Sequence, residues 1–393
     1  MWKGFKVIDA DAHMQEPFDL WSEFIDPEYY DRRPIVTDYE GKTFFHYAPG
    51  ELFPEGTRKG DGGSPENREG KGRLRPPKVT QRNREKFGDA WDADYSAESR
   101  LKDMDKYGWD KMVLIPGTGA GPVRVEGKDQ GLVWAITRAW NDWAHHFCTA
   151  DPSRLKMVGD LPNQHDIETL VSETRRCVDK LGAVTVTMPT ANEGSHWDDS
   201  IYDPFWNLAV ELDFPVSFHG VMSGNPHTGT RYRGMGGAIV GLEHAIGFPL
   251  ENMISMGHLI YTGVLEKFPE LRVSFLEGSA GWLPFWLGRL DDHAVPGHRQ
   301  EVFFDAPTLP LKPSEYFYRQ GFVACDGDES ALKAAVDLCG ADHIVWNTDY
   351  PHPDAPDPDR AIPALLEQPI SEDAKRKILW DNPARLYGKR ILG

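Results

Sequence analysis

Apolar and polar positions along this chain follow two rhythms. Short apolar or β-branched runs recur at KVIDA (6–10), KMVLIP (111–116), LKMVGDL (155–161), AVTVTM (183–188), PVSFHG (215–220), RVSFLEG (272–278), GFVACDG (321–327) and HIVWNTD (343–349). Runs of this length and composition predict strands. Between them, stretches such as DQGLVWAITRAWNDWAHHFCTA (129–150), DIETLVSETRRCVDKLG (166–182) and ESALKAAVDLCGA (329–341) carry apolar residues at helical spacing. Eight strands alternating with helices predict an α/β fold, a (β/α)8 TIM barrel. A length of 393 residues suits one such barrel domain over 1–393, since the fold runs from about 200 to more than 400 residues.

Two segments break the rhythm. Residues 28–97, after the first strand, form a long polar insertion that includes PEGTRKGDGGSPENREGKGRLRPP (54–77). It holds too few apolar residues for a core of its own. It is therefore expected to be a lid over the barrel mouth and not a separate domain. The second is NPHTGTRYRGMGG (225–237), where the functional loop after the fifth strand would lie.

Charge and cysteines narrow the partners. With 43 Lys and Arg against 61 Asp and Glu, the net charge is −18. That repels a phosphate backbone or an anionic membrane and points to a small-molecule substrate. Cys148, Cys177, Cys325 and Cys339 lack metal-type spacing and read as reduced thiols. The N-terminus, MWKGFKVIDADAH, has no basic start followed by an apolar stretch, and no run of 18 apolar residues occurs. A cytoplasmic protein is the expectation.

In a barrel of this kind, chemistry sits at the C-terminal strand ends. The first strand ends in Asp11 and His13, the fifth in His219, the sixth in Glu277 and the eighth in Asp349, with Asp326 and Asp328 after the seventh. The second, third and fourth end in Pro116, Leu161 and Met188. Taken singly, each polar residue reads as a cap or turn former. Convergent imidazoles and carboxylates, however, are what a divalent transition metal needs. In VIDADAHMQEP (7–17), alternation along a strand turns Asp9, Asp11 and His13 to one face. Asp11 and His13, nearest the mouth, are the ligand candidates, and Asp9, one step deeper, is a hydrogen-bonding support.

Four motifs, IDADAHMQEP (8–17), FHG (218–220), GVLEKFPELRVSFLEGSAGWLP (263–284) and WNTDYPHPD (346–354), give the chain its resemblance to a known family. It resembles the amidohydrolase superfamily, in the branch that contains aminocarboxymuconate-semialdehyde decarboxylase and related metal-dependent hydrolases. The resemblance implies His-x-His on strand one, a His on strand five and an Asp on strand eight as metal ligands. His13, His219 and Asp349 match, whereas Asp11 stands where the first His is expected. Among zinc, manganese and iron, that carboxylate hardens the site and moves the expectation from zinc toward manganese or iron. The family's active-site His after strand six is replaced by Glu277, which would then serve as acid or base, or as a ligand. His258 is the other candidate for the vacant proton-handling role. Glu16 is a candidate fifth ligand, His352 would orient Asp349 or touch substrate, and Arg231, Tyr232 and Arg233 would bind a substrate carboxylate.

The leading expectation is a metal-dependent hydrolase or non-oxidative decarboxylase of a small carboxylate-bearing or ring substrate. One ion would polarise a substrate oxygen or activate water, and Asp349 would relay a proton as its counterpart does in the family. The carboxylate-rich donor set leaves room for a dinuclear iron or manganese–iron oxygenase. Asp11 and Glu277, replacing standard histidines, also permit a catalytically silent subunit of a larger assembly. The stretch GWLPFWLGRL (281–290) reads as core or as the interface of a homodimer.

Overall fold

In the computed structural model, described for residues 2–17, 19–39, 42–46, 68–69, 73–74, 77–117, 129–162, 166–189, 197–220, 238–295 and 308–393, the predicted strands form one parallel sheet. They are β1 (Ile8–His13), β2 (Lys111–Ile115), β3 (Leu155–Asp160), β4 (Thr185–Pro189), β5 (Val216–His219), β6 (Val273–Leu276), β7 (Gly321–Asp326) and β8 (Ile344–Asn347). Each pairs with the next in chain order, and helices including Gln130–Cys148, Ile167–Asp179, Ala238–Tyr261 and Leu332–Cys339 fill the crossovers. This is the (β/α)8 barrel. It closes where β8 meets β1: the Asp349 amide donates to the Asp11 carbonyl at 3.1 Å, and the His13 amide donates to the Tyr350 carbonyl at 2.7 Å.

The period of two divides the strand residues between two cores. Met112, Leu114, Phe218, Phe275 and Trp346 face outward beneath the helices. Val113, Ile115, Val158, Phe322, Ala324 and Val345 face the lumen, where Leu386, Tyr387 and Ile391 of the C-terminal segment join them. Each buried Val, Leu, Ile, Phe or Met among them contributes about 1.5–3 kcal/mol before entropy is counted. Lys156, at the start of β3, donates to the Gly393 carbonyl at 2.6 Å, so this segment closes the barrel at the end opposite the mouth.

β1 departs from simple alternation. Asp9 is level with Met112 and Ala12 with Leu114, three residues of β1 against two of β2. The extra residue is a bulge, which reverses the facing of whatever follows it. Ala10 packs into the lumen and Ala12 into the outer core. Asp9 therefore shares the Met112 face, not the face of Asp11 and His13, which corrects the strand-alternation reading. Its role as a hydrogen-bonding support holds. Both its oxygens are engaged, by the Thr348 hydroxyl and by the Thr348 and Asp11 amides, and burial still pushes its carboxyl up to about 7.

The insertion is not structureless. Its described parts include two short hairpins, Ile35–Tyr39 with Lys42–His46 and Arg68–Glu69 with Arg73–Leu74, and the helix Pro77–Asp92. That helix lies against the loop after β8. Arg82 Nε donates to the Pro353 carbonyl at 3.2 Å, Lys86 donates to the carbonyls of His352, Pro353 and Ala355, and Phe87 meets Tyr350 edge-on at 5.2 Å. Most of 54–77 and all of 225–237 lie outside the described residues.

The next helix, Ala97–Tyr107, starts at Ser96, whose hydroxyl accepts from the Ser99 amide, and ends at Gly108 with φ of 82°. All four cysteines are free, and no described helix is long and apolar enough to cross a membrane. In 281–290, Leu283, Leu287 and Leu290 are core while Phe285 is 64% exposed.

Candidate metal centre

Four strands deliver five side chains to one point of the mouth. Asp11 lies within the bulge of β1 and His13 is its last residue, and His219 is the last residue of β5. Glu277 follows β6 and Asp349 lies two residues past β8, and both have left-handed backbones, with φ of 47° and 56°. Non-glycine residues seldom adopt that region and tend to do so at functional sites. Here the turn swings each carboxylate inward over the strand ends.

His13 Nε2 lies 3.5 Å from Asp11 Oδ1, 3.6 Å from Glu277 Oε2 and 3.1 Å from Asp349 Oδ1. His219 Nε2 lies 3.7 Å from Asp11 Oδ2 and 2.6 Å from Glu277 Oε2. Both imidazoles give their other nitrogen to a carbonyl, His13 Nδ1 to Pro116 at 3.1 Å and His219 Nδ1 to Gly220 at 2.7 Å. A carbonyl only accepts, so Nδ1 carries a proton and Nε2 faces the cluster; in the neutral imidazole the Nε2 lone pair is then free for a metal, the tautomer a metal ligand requires. Both Asp11 oxygens are buried without a hydrogen-bond partner, and both Nε2 atoms, Glu277 Oε2 and Asp349 Oδ1 are buried facing one another and His352.

Those spacings match the edges of a coordination shell. Two donors at about 2.0–2.2 Å from one ion lie about 2.8–3.1 Å apart at a right angle and about 3.3–3.6 Å apart at a tetrahedral angle. The observed edges run from 2.6 to 3.7 Å. The donor set and its spacing fit a divalent cation, which Asp11, His13 and His219 could hold, with Asp349 and Glu277 within reach of His13.

Electrostatics agree with that fit. Burial pushes the Asp11 carboxyl up to about 6 against the pull of His219 and His13. Burial alone would lower both imidazoles, yet Asp349 and Glu277 beside His13, and Asp11 and Glu277 beside His219, hold both above their ordinary value. Burial would raise Glu277 and Asp349 too, but the neighbouring imidazoles keep both low. Three carboxylates packed in low dielectric draw positive charge, which protons supply when no cation is bound.

The centre opens into a cleft of about 700 Å³ bordered by Glu277 and Asp349. Phe248, Pro249 and Trp282 form one wall, and Asp326, Asp328 and Glu329 after β7 form another. The Trp282 indole donates to the Gly278 carbonyl at 2.8 Å. With its one polar atom engaged, the ring has only apolar surface left for a ligand. Asp326 accepts from Asn347 at 3.0 Å, and burial pushes it up to about 7.

Not every candidate joins the cluster. Glu16 accepts from the Gly117 amide at 2.8 Å and the Trp140 indole at 3.1 Å, tying the loop after β1 to its neighbours. His258 is paired with Asp198 at 3.1 Å and edge-on to Trp197, which packs on Phe218. Phe218 and His219 point to opposite faces of β5, so His258 lies outside the barrel wall and is no substitute for the missing histidine. His352 does reach the site. Its Nδ1 is 2.8 Å from Asp349 Oδ1 and its ring stacks on His13 at 4.0 Å. Arg231, Tyr232 and Arg233 lie outside the described residues.

Sequence reading missed Thr348 and the fully buried Asp160, which accepts from Thr187 at 3.3 Å near the end of β3. Its place as the last residue of β3 was the available signal for Asp160.

Comparison with known proteins adds the family. The Amidohydrolase family model matches residues 8–389. The 2-amino-3-carboxymuconate-6-semialdehyde decarboxylase of Dictyostelium discoideum is 27% identical over 302 residues, covering 73% of this chain and 79% of that protein. Two solved structures share the fold. An amidohydrolase from Mycobacterium avium subsp. paratuberculosis has 20% identity and a TM-score of 0.74, over 98% of this chain and 100% of that one. A dihydroxybenzoic acid decarboxylase from Polaromonas, solved with manganese and the inhibitor 2-nitroresorcinol, has 20% identity and a TM-score of 0.61, over 98% and 97%. The family match spans every barrel strand and the motifs that carry the resemblance, and the chain belongs to the amidohydrolase family of enzymes.

Proposed function

We propose that this enzyme is a metal-dependent non-oxidative decarboxylase of small unsaturated or aromatic carboxylates, with one divalent ion held by Asp11, His13, His219 and Asp349. The observation that carries the reading is the set of buried imidazole and carboxylate donor atoms spaced as one coordination shell. The decarboxylase relatives support the choice of lyase over hydrolase, and manganese in one of them supports a hard divalent ion. When bound, the ion would anchor and polarise a substrate oxygen.

In such a reaction the bond to the carboxylate breaks, CO2 leaves and a proton takes its place on carbon, so no oxidant is consumed. Glu277 borders the cleft and its Oε2 lies in the donor ring, which suits it to hold and move that proton. Asp349, braced by His352, would orient the shell. Phe248 and Trp282 give a flat substrate an apolar wall. The intact donor set speaks against a silent subunit.

Elemental analysis of purified protein should find about one manganese, zinc or iron per chain. Chelation should abolish CO2 release from a panel of aromatic and unsaturated carboxylates, and adding back one equivalent should restore it. Two ions per chain with substrate-dependent oxygen uptake would establish the dinuclear oxygenase instead, a reading that the second donor group of His13, Asp349 and His352 supports.

The insertion is proposed to act as a lid, supported by the bonds of Arg82 and Lys86 to the loop after β8. Limited proteolysis should cut within 54–77, and a bound substrate analogue should slow the cut. A fragment of 28–97 that folds alone would overturn the lid.

A further inference from the structure

Outside the barrel wall, behind the seam between β1 and β8, lies a buried cation. Arg100, on the helix Ala97–Tyr107, is 2% exposed. Its Nη2 donates to the His13 carbonyl at 2.7 Å, Nη1 faces the Met112 sulfur at 4.0 Å, and its guanidinium lies over the Tyr350 ring at 4.5 Å. The Tyr350 hydroxyl in turn donates to Asp103, on the same helix as Arg100. The nearest partners of Arg100 are thus a carbonyl, a thioether and an aromatic face.

Burial makes a guanidinium costly there and lowers its proton affinity, with the Tyr350, Asp103 and Asp9 side chains pulling the other way, whereas a methionine or leucine would fill the same space without a charge to compensate. What an apolar residue could not do is claim the His13 carbonyl. The His13 amide is already bound to the Tyr350 carbonyl at 2.7 Å. Both peptide groups of His13 are therefore held by two residues that touch each other, and Tyr350 directly follows Asp349. His13 and Asp349 come from opposite ends of the chain, on the two strands that close the barrel, and their donor atoms stand 3.1 Å apart.

We propose that Arg100 is a positioning residue for the metal centre: through the His13 carbonyl and the Tyr350 ring it sets the His13 donor against the Asp349 donor. The proposal rests on the metal reading of the site, and on nothing about which substrate is used.

Cobalt(II) serves as the probe, with affinity measured by chelator competition and geometry by the visible absorption of the bound ion. The metal-free fold is followed by circular dichroism. Arg100→Met should keep the metal-free fold, weaken cobalt binding by about 10–100-fold, the range typical when a partner that orients a ligand is removed, and shift the visible band. Arg100→Lys keeps the charge but lacks the planar fork that spans a carbonyl and an aromatic face, and should weaken binding and shift the band in the same direction.

If wild type binds no cobalt, the metal reading fails and this proposal with it. If wild type binds and either folded variant keeps its affinity within about twofold and its spectrum unchanged, the proposal alone fails and Arg100 is a packing residue. If neither variant folds, Arg100 is a determinant of the fold and the proposal is again overturned.

Discussion

Asp11→Asn is expected to empty the centre while leaving the metal-free protein at least as stable as wild type. Asp11 is fully buried, neither of its oxygens has a hydrogen-bond partner, and burial pushes its carboxyl up to about 6. A charge in that position is a liability unless a cation or protonated imidazoles compensate it. The amide removes the liability and, being a poor metal donor, removes affinity as well. We expect cobalt or manganese binding to weaken by more than about 100-fold, beyond the range for outer partners, and turnover to fall by about 1,000-fold or more, because an ion at such a site supplies several kcal/mol.

The sign of the stability change follows from the direction of the shift. A carboxyl whose folded pKa stands above its unfolded value destabilises the folded state as pH rises through the unfolded and then the folded value, here up to about 6. The gain in melting temperature should therefore be full at pH 8 in chelator and vanish below about pH 4, where the carboxyl is protonated in both states. A variant that loses stability at pH 8 in chelator would mean that Asp11 acts as a structural hydrogen-bonding group.

Glu277→Gln should have the other large effect, and it separates acid–base chemistry from ligation. Glu277 Oε2 is 2.6 Å from His219 Nε2 and borders the cleft. As the group that moves a proton, it can be replaced by an amide of the same shape without loss of the ion. Turnover should then fall by about 100- to 10,000-fold, the usual share of a general acid or base, with about one metal per chain retained. A drop in metal content would instead make Glu277 a ligand. Full activity in Glu277→Gln would leave it a structural carboxylate at the end of β6.

The alternation of apolar runs determined the barrel, because parallel strands buried on both faces read as short continuous apolar segments and amphipathic helices do not. Once eight strands are placed, the strand-end rule singles out His13, His219, Glu277 and Asp349, and the structure brings all four to one point. Residue spacing also flagged the insertion, though not the hairpins and helix within it, since hairpins of two to five residues per strand leave little pattern to read.

Tertiary structure decided the rest. The bulge in β1 is set by pairing with β2, a partner about a hundred residues away, so local alternation put Asp9 on the wrong face. Glu16 and His258 are chemically suitable ligands, and only the fold shows Glu16 bound to Gly117 and Trp140 and His258 beyond the wall of β5. Arg100 carries no signal in sequence, because an arginine on an amphipathic helix normally faces solvent. Its burial follows from the closing of β8 onto β1, which brings Tyr350 and His13 together from opposite ends of the chain. Local pattern depends on the few residues within one strand or one helical turn and so determined the elements and the strand-end chemistry. Which donors share a face, and what holds them there, depends on contacts between distant segments, which exist only once the barrel has closed.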